Sequence, residues 1–284
     1  MFIGAAMFFT EYSVDPGQLG MLLEERGYDS LWAPEHSHIP LSRESSFSGW
    51  TKIPPKYFDV MDPFVTLTAA AAATSSIKLG TGVCLVVQRD PIQTAKLVAS
   101  IDQLSGGRFM FGVGNGWNAE EMADHGTPFA SRHAIAHERI AAMKEIWTTS
   151  EPEFHGDFVD FPPMAARPKP VQTPYPPIIV GGGYPYGARR AVEYGNGWIP
   201  HTRLPPYEDV TDHLEDFRKM AAEAGRDPIS LPVTVWGGNP DLDRLKKWRD
   251  MGIARVVVPL DSEPADKLMP EIDQWAGWIE ELGQ

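Results

Sequence analysis

Glu35 and His36 stand side by side at the end of a short apolar run, Tyr28, Leu31, Trp32 and Ala33. A carboxylate beside an imidazole can take up or release a proton near neutral pH, because an unperturbed imidazole titrates near ~6.5. Adjacent side chains at a strand end point to opposite sides. One of the pair can therefore line a site while the other holds the following loop. Such a pair also serves as plain structure in many folds, so its meaning depends on what the rest of the chain brings beside it.

Other residues of chemical interest are spread through the chain. Gly181-Gly182-Gly183 lies between a strand pattern and a helix pattern, where backbone N–H groups can approach a phosphate at a helix N-terminus. A tight turn needing positive φ explains the same glycines equally well. Gly112-Val113-Gly114-Asn115-Gly116 lacks the G-x-G-x-x-G spacing of a dinucleotide fingerprint, and no acidic residue ends a second Rossmann strand behind it. Its glycines fit the approach of a flat ligand, or a crowded barrel mouth. Cys84 has no base beside it in sequence and reads as a small wall residue. His36, His38 and His201 do not assemble a second strand-end cluster, and His133 and His137 are spaced as a helix pair, so no metal site is expected.

The elements that must carry these residues alternate regularly. Strands are expected at 2–9, 28–34, 77–85, 108–114, 177–182, 197–201, 231–236 and 255–260. Helices follow at 15–26, 62–74, 91–104, 132–149, 185–194, 207–224, 242–251 and 265–282, while 118–131 reads as irregular or briefly helical. Asp15-Pro16 and Asp62-Pro63 are N-cap and first-turn pairs, and Gly27 is a stop. Eight strand-then-helix units without an antiparallel run predict a (β/α)8 barrel, the TIM-barrel form of an α/β fold, as one domain over residues 1–284. Two departures are a long loop over 37–61, carrying Trp50, Tyr57 and Phe58, and a proline-rich insertion over 151–176 before strand five. In such a barrel the site lies at the C-terminal strand ends. Glu35-His36, Gly82-Val83-Cys84, Asn115-Gly116-Trp117, Gly181–Gly183 and His201 then share one face, with Trp50, Phe58 and His201 as candidate walls of a substrate pocket.

Composition narrows the partners. A net charge of −13 argues against nucleic acid or an anionic membrane as the main partner, and hydrophobic content of 43% supports a large core. One cysteine allows no internal disulfide, no apolar run reaches membrane-spanning length, and the N-terminus lacks a signal-peptide pattern. A cytoplasmic protein acting on a small molecule is expected.

At these residues the chain resembles the luciferase-like flavin and deazaflavin oxidoreductases, closest to their F420-dependent branch. The matching segments are Gly27-Tyr-Asp-Ser-Leu-Trp with Glu35-His36, Ile77-Lys-Leu-Gly-Thr-Gly-Val, and Gln88-Arg-Asp-Pro91. They continue with Leu104-Ser-Gly-Gly-Arg-Phe, Gly112-Val-Gly-Asn-Gly-Trp117, Pro168-Lys-Pro-Val-Gln172, Pro177-Ile-Ile-Val-Gly-Gly-Gly183 and Gly195-Asn-Gly-Trp198. After about Leu204 the resemblance is one of architecture alone.

The resemblance implies hydride transfer between coenzyme F420, an 8-hydroxy-5-deazaflavin, and a small organic substrate. It implies His36 as the proton-handling residue, with Glu35 touching the ring or orienting His36. Gly82, Val83 and Cys84 would back the ring, with a cis bond between Gly82 and Val83. Asn115, Gly116 and Trp117 would flank the ring, and Gly181, Gly182 and Gly183 would take the phosphate. Arg132, Arg189 and Arg190 would meet an acidic cofactor tail. FMN shares the ring, ribityl and phosphate, so an FMN-dependent monooxygenase is the nearest alternative, followed by a non-catalytic flavin-binding barrel. Family members are often dimers, and a homodimer is compatible with nine tryptophans.

Overall fold

The structure is a computed structural model that describes residues 1–42, 44–45, 52–201 and 209–283. Its organising element is a parallel sheet that curls toward closure. Strands β1 (Phe2–Ala6), β2 (Ser30–Ala33), β3 (Lys78–Thr81) and β5 (Phe109–Gly114) run in sequence. They are followed by β8 (Ile178–Gly181), β9 (Gly197–Ile199), β10 (Thr234–Trp236) and β11 (Arg255–Pro259). β11 pairs back onto β1 with Ile3 opposite Val256, and isolated parallel bridges Trp198–Val233 and His201–Trp236 join β9 to β10. This is the TIM-barrel architecture that the alternation predicts.

Helices fill the connections: α1 (Pro16–Glu25), α2 (Pro63–Ala73), α3 (Pro91–Leu104), α4 (Ala119–Asp124) and α5 (Arg132–Thr148), then α6 (Tyr186–Tyr194), α7 (Leu214–Glu223), α8 (Leu242–Asp250) and α9 (Ala265–Glu281). The first three begin alike. Asp15, Asp62 and Asp90 each accept a hydrogen bond from a first-turn backbone N–H, followed by a proline at the first helical position. The aspartate satisfies an N–H that has no helical partner, and the proline has none to satisfy.

Two packed layers hold the barrel. Between sheet and helices lies the main core, including Leu31, Leu79, Phe109, Phe111, Ile178, Val235 and Val256. Inside the barrel a second cluster joins Ala6, Trp32, Met110, Ile179, Ile199 and Val257, with Val83 and Trp236 packed against it. The ring of Trp32 takes the space a side chain would need at Gly80, where an added Cβ would lie 2.4 Å from Trp32 Cε3.

Several expectations change at element ends. The strand expected over 77–85 is broken at Gly82–Val83, and its last residues form a separate β4 (Cys84–Leu85) paired with Val113 and Gly114. Segment 118–131 contains the short helix α4 and a 3-10 turn at Phe129–Ser131. Of the helix expected over 207–224, residues 207 and 208 lie outside the described residues, Val210–His213 is a 3-10 turn with Thr211 capped by the Asp209 carboxylate, and the chain is α-helical from Leu214. The insertion carries a small antiparallel pair, β6 (Phe154–His155) and β7 (Asp160–Phe161). Its turn is tied to α5 by Glu138, which accepts from the N–H groups of Asp157, Phe158 and Val159. Among the described residues no helix is long and apolar enough to cross a membrane.

Candidate active site at the barrel mouth

Residues just past β2 divide between the wall and the mouth. Glu35 is 6% exposed and turns into the wall. It accepts from the Leu85 N–H at 2.6 Å and from Arg89 Nε at 2.5 Å, and Arg89 also bridges to Asp62. Burial raises the pKa of its carboxyl, against the pull of the Arg89 guanidinium and the Leu85 N–H. The resemblance offered Glu35 two duties, contact with the ring or orientation of His36; its observed partners are Arg89 and Leu85. Cys84 lies fully buried beside it, and burial, reinforced by the Glu35 charge, pushes its thiol well up. A thiol in that state is a wall residue.

His36 faces the other way. Its Nδ1 lies 2.8 Å from Oε2 of Glu121, whose Oε1 accepts from the Ser37 N–H at 3.1 Å. Tyr57 packs a tilted ring at 5.2 Å and Trp117 meets it edge-on at 5.7 Å. The imidazole is more enclosed than a strand-end position implies, with 6% of the side chain exposed.

Beside it the strand ends form a ledge. The Gly82–Val83 peptide is cis, as the resemblance implies. The Val83 side chain lies over the ends of β5 and β8: a Cβ at Gly114 would stand 2.4 Å from Val83 Cγ2, and one at Gly181 3.0 Å from Val83 Cγ1. A Cβ at Gly82 would strike the Trp236 ring at 2.4 Å. These glycines thus make room for Val83 and Trp236, and at Gly114 crowding alone accounts for the residue type. Past the strand, Asn115 is buried with its Nδ2 2.7 Å from His133 Nδ1, and Gly116 turns the chain at φ 68° to present Trp117.

The third component is the turn after β8. Gly182 has φ 129°, and helix α6 begins behind a cis Tyr184–Pro185 bond without a side-chain cap. Helix and turn meet closely, since a Cβ at Gly187 would lie 2.2 Å from Gly182 O. Arg190 Nη2 would stand 2.9 Å from a Cβ at Gly182, and its Nε is buried without a hydrogen-bond partner among the described residues. The pKa of His133 is lowered by burial and then by the charges of Arg132 and Arg190. A helix start without a side-chain cap, a glycine turn and an incompletely satisfied guanidinium fit a phosphate. A cavity of about 370 Å³ borders this region, lined by His133, Arg190 and Tyr194 on one side and by Asp157 and Phe158 of the insertion on the other.

The remaining expectations fare unevenly. Trp50 lies outside the described residues. Phe58 is 47% exposed, whereas its neighbour Tyr57 covers His36 and packs on Phe8. His201 is half-buried at the mouth, in its bridge to Trp236. Sequence reasoning missed Glu121. The spacing Asn118-x-x-Glu121 marks a helix start, and Asn118 does cap that N–H, but nothing local reveals a partner 85 residues away.

Residues 17–238 match the model of the luciferase-like monooxygenase family. An uncharacterized protein of Mycobacterium tuberculosis is 35% identical over 280 residues, covering 97% of this chain and 98% of its own. The F420-dependent hydroxymycolic acid dehydrogenase of the same organism is 30% identical over 213 residues, 73% of this chain and 54% of that one. The FMNH2-dependent dimethylsulfone monooxygenase of Pseudomonas putida is 34% identical over 160 residues, 55% of this chain and 43% of its own. Among solved structures, the monooxygenase RslO1 from Streptomyces bottropensis superimposes with TM-score 0.80 at 20% identity over 99% of both chains. An F420-dependent secondary alcohol dehydrogenase, solved with an F420–acetone adduct, gives 0.75 at 17% identity over the whole of both chains.

Proposed function

The chain belongs to the luciferase-like monooxygenase family and is similar to F420-dependent and FMNH2-dependent enzymes, and from that premise we propose that it is an F420-dependent oxidoreductase moving a hydride between the deazaflavin and a small organic substrate. The observation that carries this reading is the meeting, at one end of the barrel, of the His36 imidazole, the Val83 ledge and the Gly181–Gly183 turn. When bound, a deazaflavin supplies a ring carbon that gives or takes the hydride.

The protein's share of the work is positioning and one proton. Gly181, Gly182 and Gly183, with the start of α6 and Arg190, would hold the phosphate. Val83, between Gly82 and Cys84, would support one face of the ring, and Asn115, Gly116 and Trp117 would border it. Holding two flat reactants face to face is the larger part of the catalytic task. His36 would carry the proton that accompanies the hydride, at Nε2, because Nδ1 is engaged by Glu121. Tyr57 and Trp117 around the imidazole would help exclude water. Glu35 would keep the loop in place through Arg89. We place the enzyme in the cytoplasm, with a homodimer as its expected assembly.

Parallel binding titrations of F420 and FMN test the cofactor. The reading expects tight F420 binding with millimolar FMN affinity, and tight FMN binding with weak F420 binding would replace it with the flavin monooxygenase alternative.

A further inference from the structure

We propose that Glu121 is the positioning residue of His36, holding its imidazole with the proton on Nδ1 and the Nε2 lone pair available to the site. The proposal rests on the reading of His36 as the proton-handling group, and extends it to a fully buried residue that bonds the imidazole.

Glu121 is completely buried, although it stands in the first turn of a helix only six residues long. Burying a carboxylate is costly unless its oxygens find partners. The usual partner for a glutamate at this point of a helix is the N–H of the capping residue, three positions back. Glu121 does not take it. Oε2 lies 2.8 Å from His36 Nδ1, and Oε1 accepts from the Ser37 N–H at 3.1 Å. Asn118 still caps the helix, accepting from the Glu121 N–H, so helix formation does not depend on the glutamate side chain.

An ionised carboxylate can only accept hydrogen bonds, so Nδ1 must carry the proton whether the ring is neutral or charged. In the neutral ring Nε2 is then the lone-pair nitrogen. The second oxygen adds a further restraint, because the Ser37 N–H ties the backbone just beyond His36 to the same carboxylate. A fixed tautomer matters for transfer: a base with its proton on the wrong nitrogen cannot accept another at the reacting position. The neighbouring acids have other work. Glu120 Oε1 accepts from the N–H groups of Glu44 and Ser45, and Asp124 pairs with His38 Nε2. Of the carboxylates on α4, Glu121 is the one bonded to the imidazole of His36.

The test uses the full-length protein without cofactor, 15N-labelled at histidine, and reads the ring-nitrogen shifts of His36 by NMR with His36→Gln to assign them. In the wild type, the neutral ring is expected almost entirely as the Nδ1–H tautomer. Glu121→Gln is expected to mix the tautomers, and Glu121→Asp to restore Nδ1–H. Neutral His36 in the wild type with its proton mainly on Nε2 overturns the proposal, and this needs no Glu121 variant to fold. So do identical His36 shifts in the wild type and a folded Glu121→Gln protein, since a merely structural glutamate leaves the tautomer unchanged. The tautomer is independent of the catalytic reading, which fails separately if His36→Ala turns over normally.

Discussion

Glu35 and His36 are neighbours with opposite fates, and each is held by a distant partner. Glu35 turns inward to Arg89, the Leu85 N–H and buried Cys84; His36 turns to Glu121, Tyr57 and Trp117. The reversal of side chains between consecutive residues is enough to set one into the wall and the other toward the mouth. Charge makes the division firm. Glu35 sits against a guanidinium that is itself held strongly charged by its two carboxylate neighbours, Glu35 and Asp62, despite the opposing cost of burial. His36 faces a carboxylate that orders it without occupying its second nitrogen.

Substitutions at the two positions should therefore separate function from stability. His36→Ala should lower turnover by about 10²–10⁴-fold, the usual scale for one general acid or base. Cofactor affinity should move little, while some stability is lost because the buried Glu121 keeps only the Ser37 N–H as partner; a normal turnover would erase the contrast. Glu35→Ala should destabilise the fold by about 1–3 kcal/mol with little loss of turnover, because the buried Leu85 N–H loses its acceptor while Arg89, 19% exposed, keeps Asp62. Denaturant unfolding measures that loss. Unchanged stability with lost turnover would return Glu35 to the site.

Smaller effects sharpen the contrast at the other side of the mouth. Gly182→Ala puts a side chain on a backbone at φ 129°, 2.9 Å from Arg190 Nη2. Cofactor affinity should fall by about tenfold, roughly 1.4 kcal/mol, and calorimetric titration measures it. His133 offers the mildest probe. Its pKa is lowered from the ordinary 6.5 by burial and the charges of Arg132 and Arg190. Below that ordinary value the unfolded chain binds the proton first, so this group's contribution to stability falls as pH drops through it. An anion seated between the arginines and the Gly182 turn should raise the His133 pKa, which an NMR titration with and without inorganic phosphate follows. No change would remove the anion from this turn.

The barrel is legible in the sequence because its signals are local. Asp15-Pro16 and Asp62-Pro63 announce helices within two residues, and the strand runs are short, apolar and bounded by turns. Much of the candidate site is less legible because its pairings are not local. His36 and Glu121 are 85 residues apart, and Glu35 and Arg89 are 54 apart. Neither leaves a periodic trace. Within one loop the aromatic residues Tyr57 and Phe58 look interchangeable, yet a 3-10 turn over Pro55–Tyr57 sets one on His36 and leaves the other 47% exposed. The glycines at 82 and 114 suit a flat ligand in the sequence, and the contacts of Val83 and Trp236 give them a packing reason as well.

The most direct test is a crystal structure of the protein with F420 bound. The phosphate is expected on the Gly181–Gly183 turn within reach of Arg190, the ring against Val83, and His36 Nε2 facing the reacting edge while Nδ1 stays on Glu121. A ring lying away from Val83 and His36, or a phosphate held elsewhere, would contradict that placement.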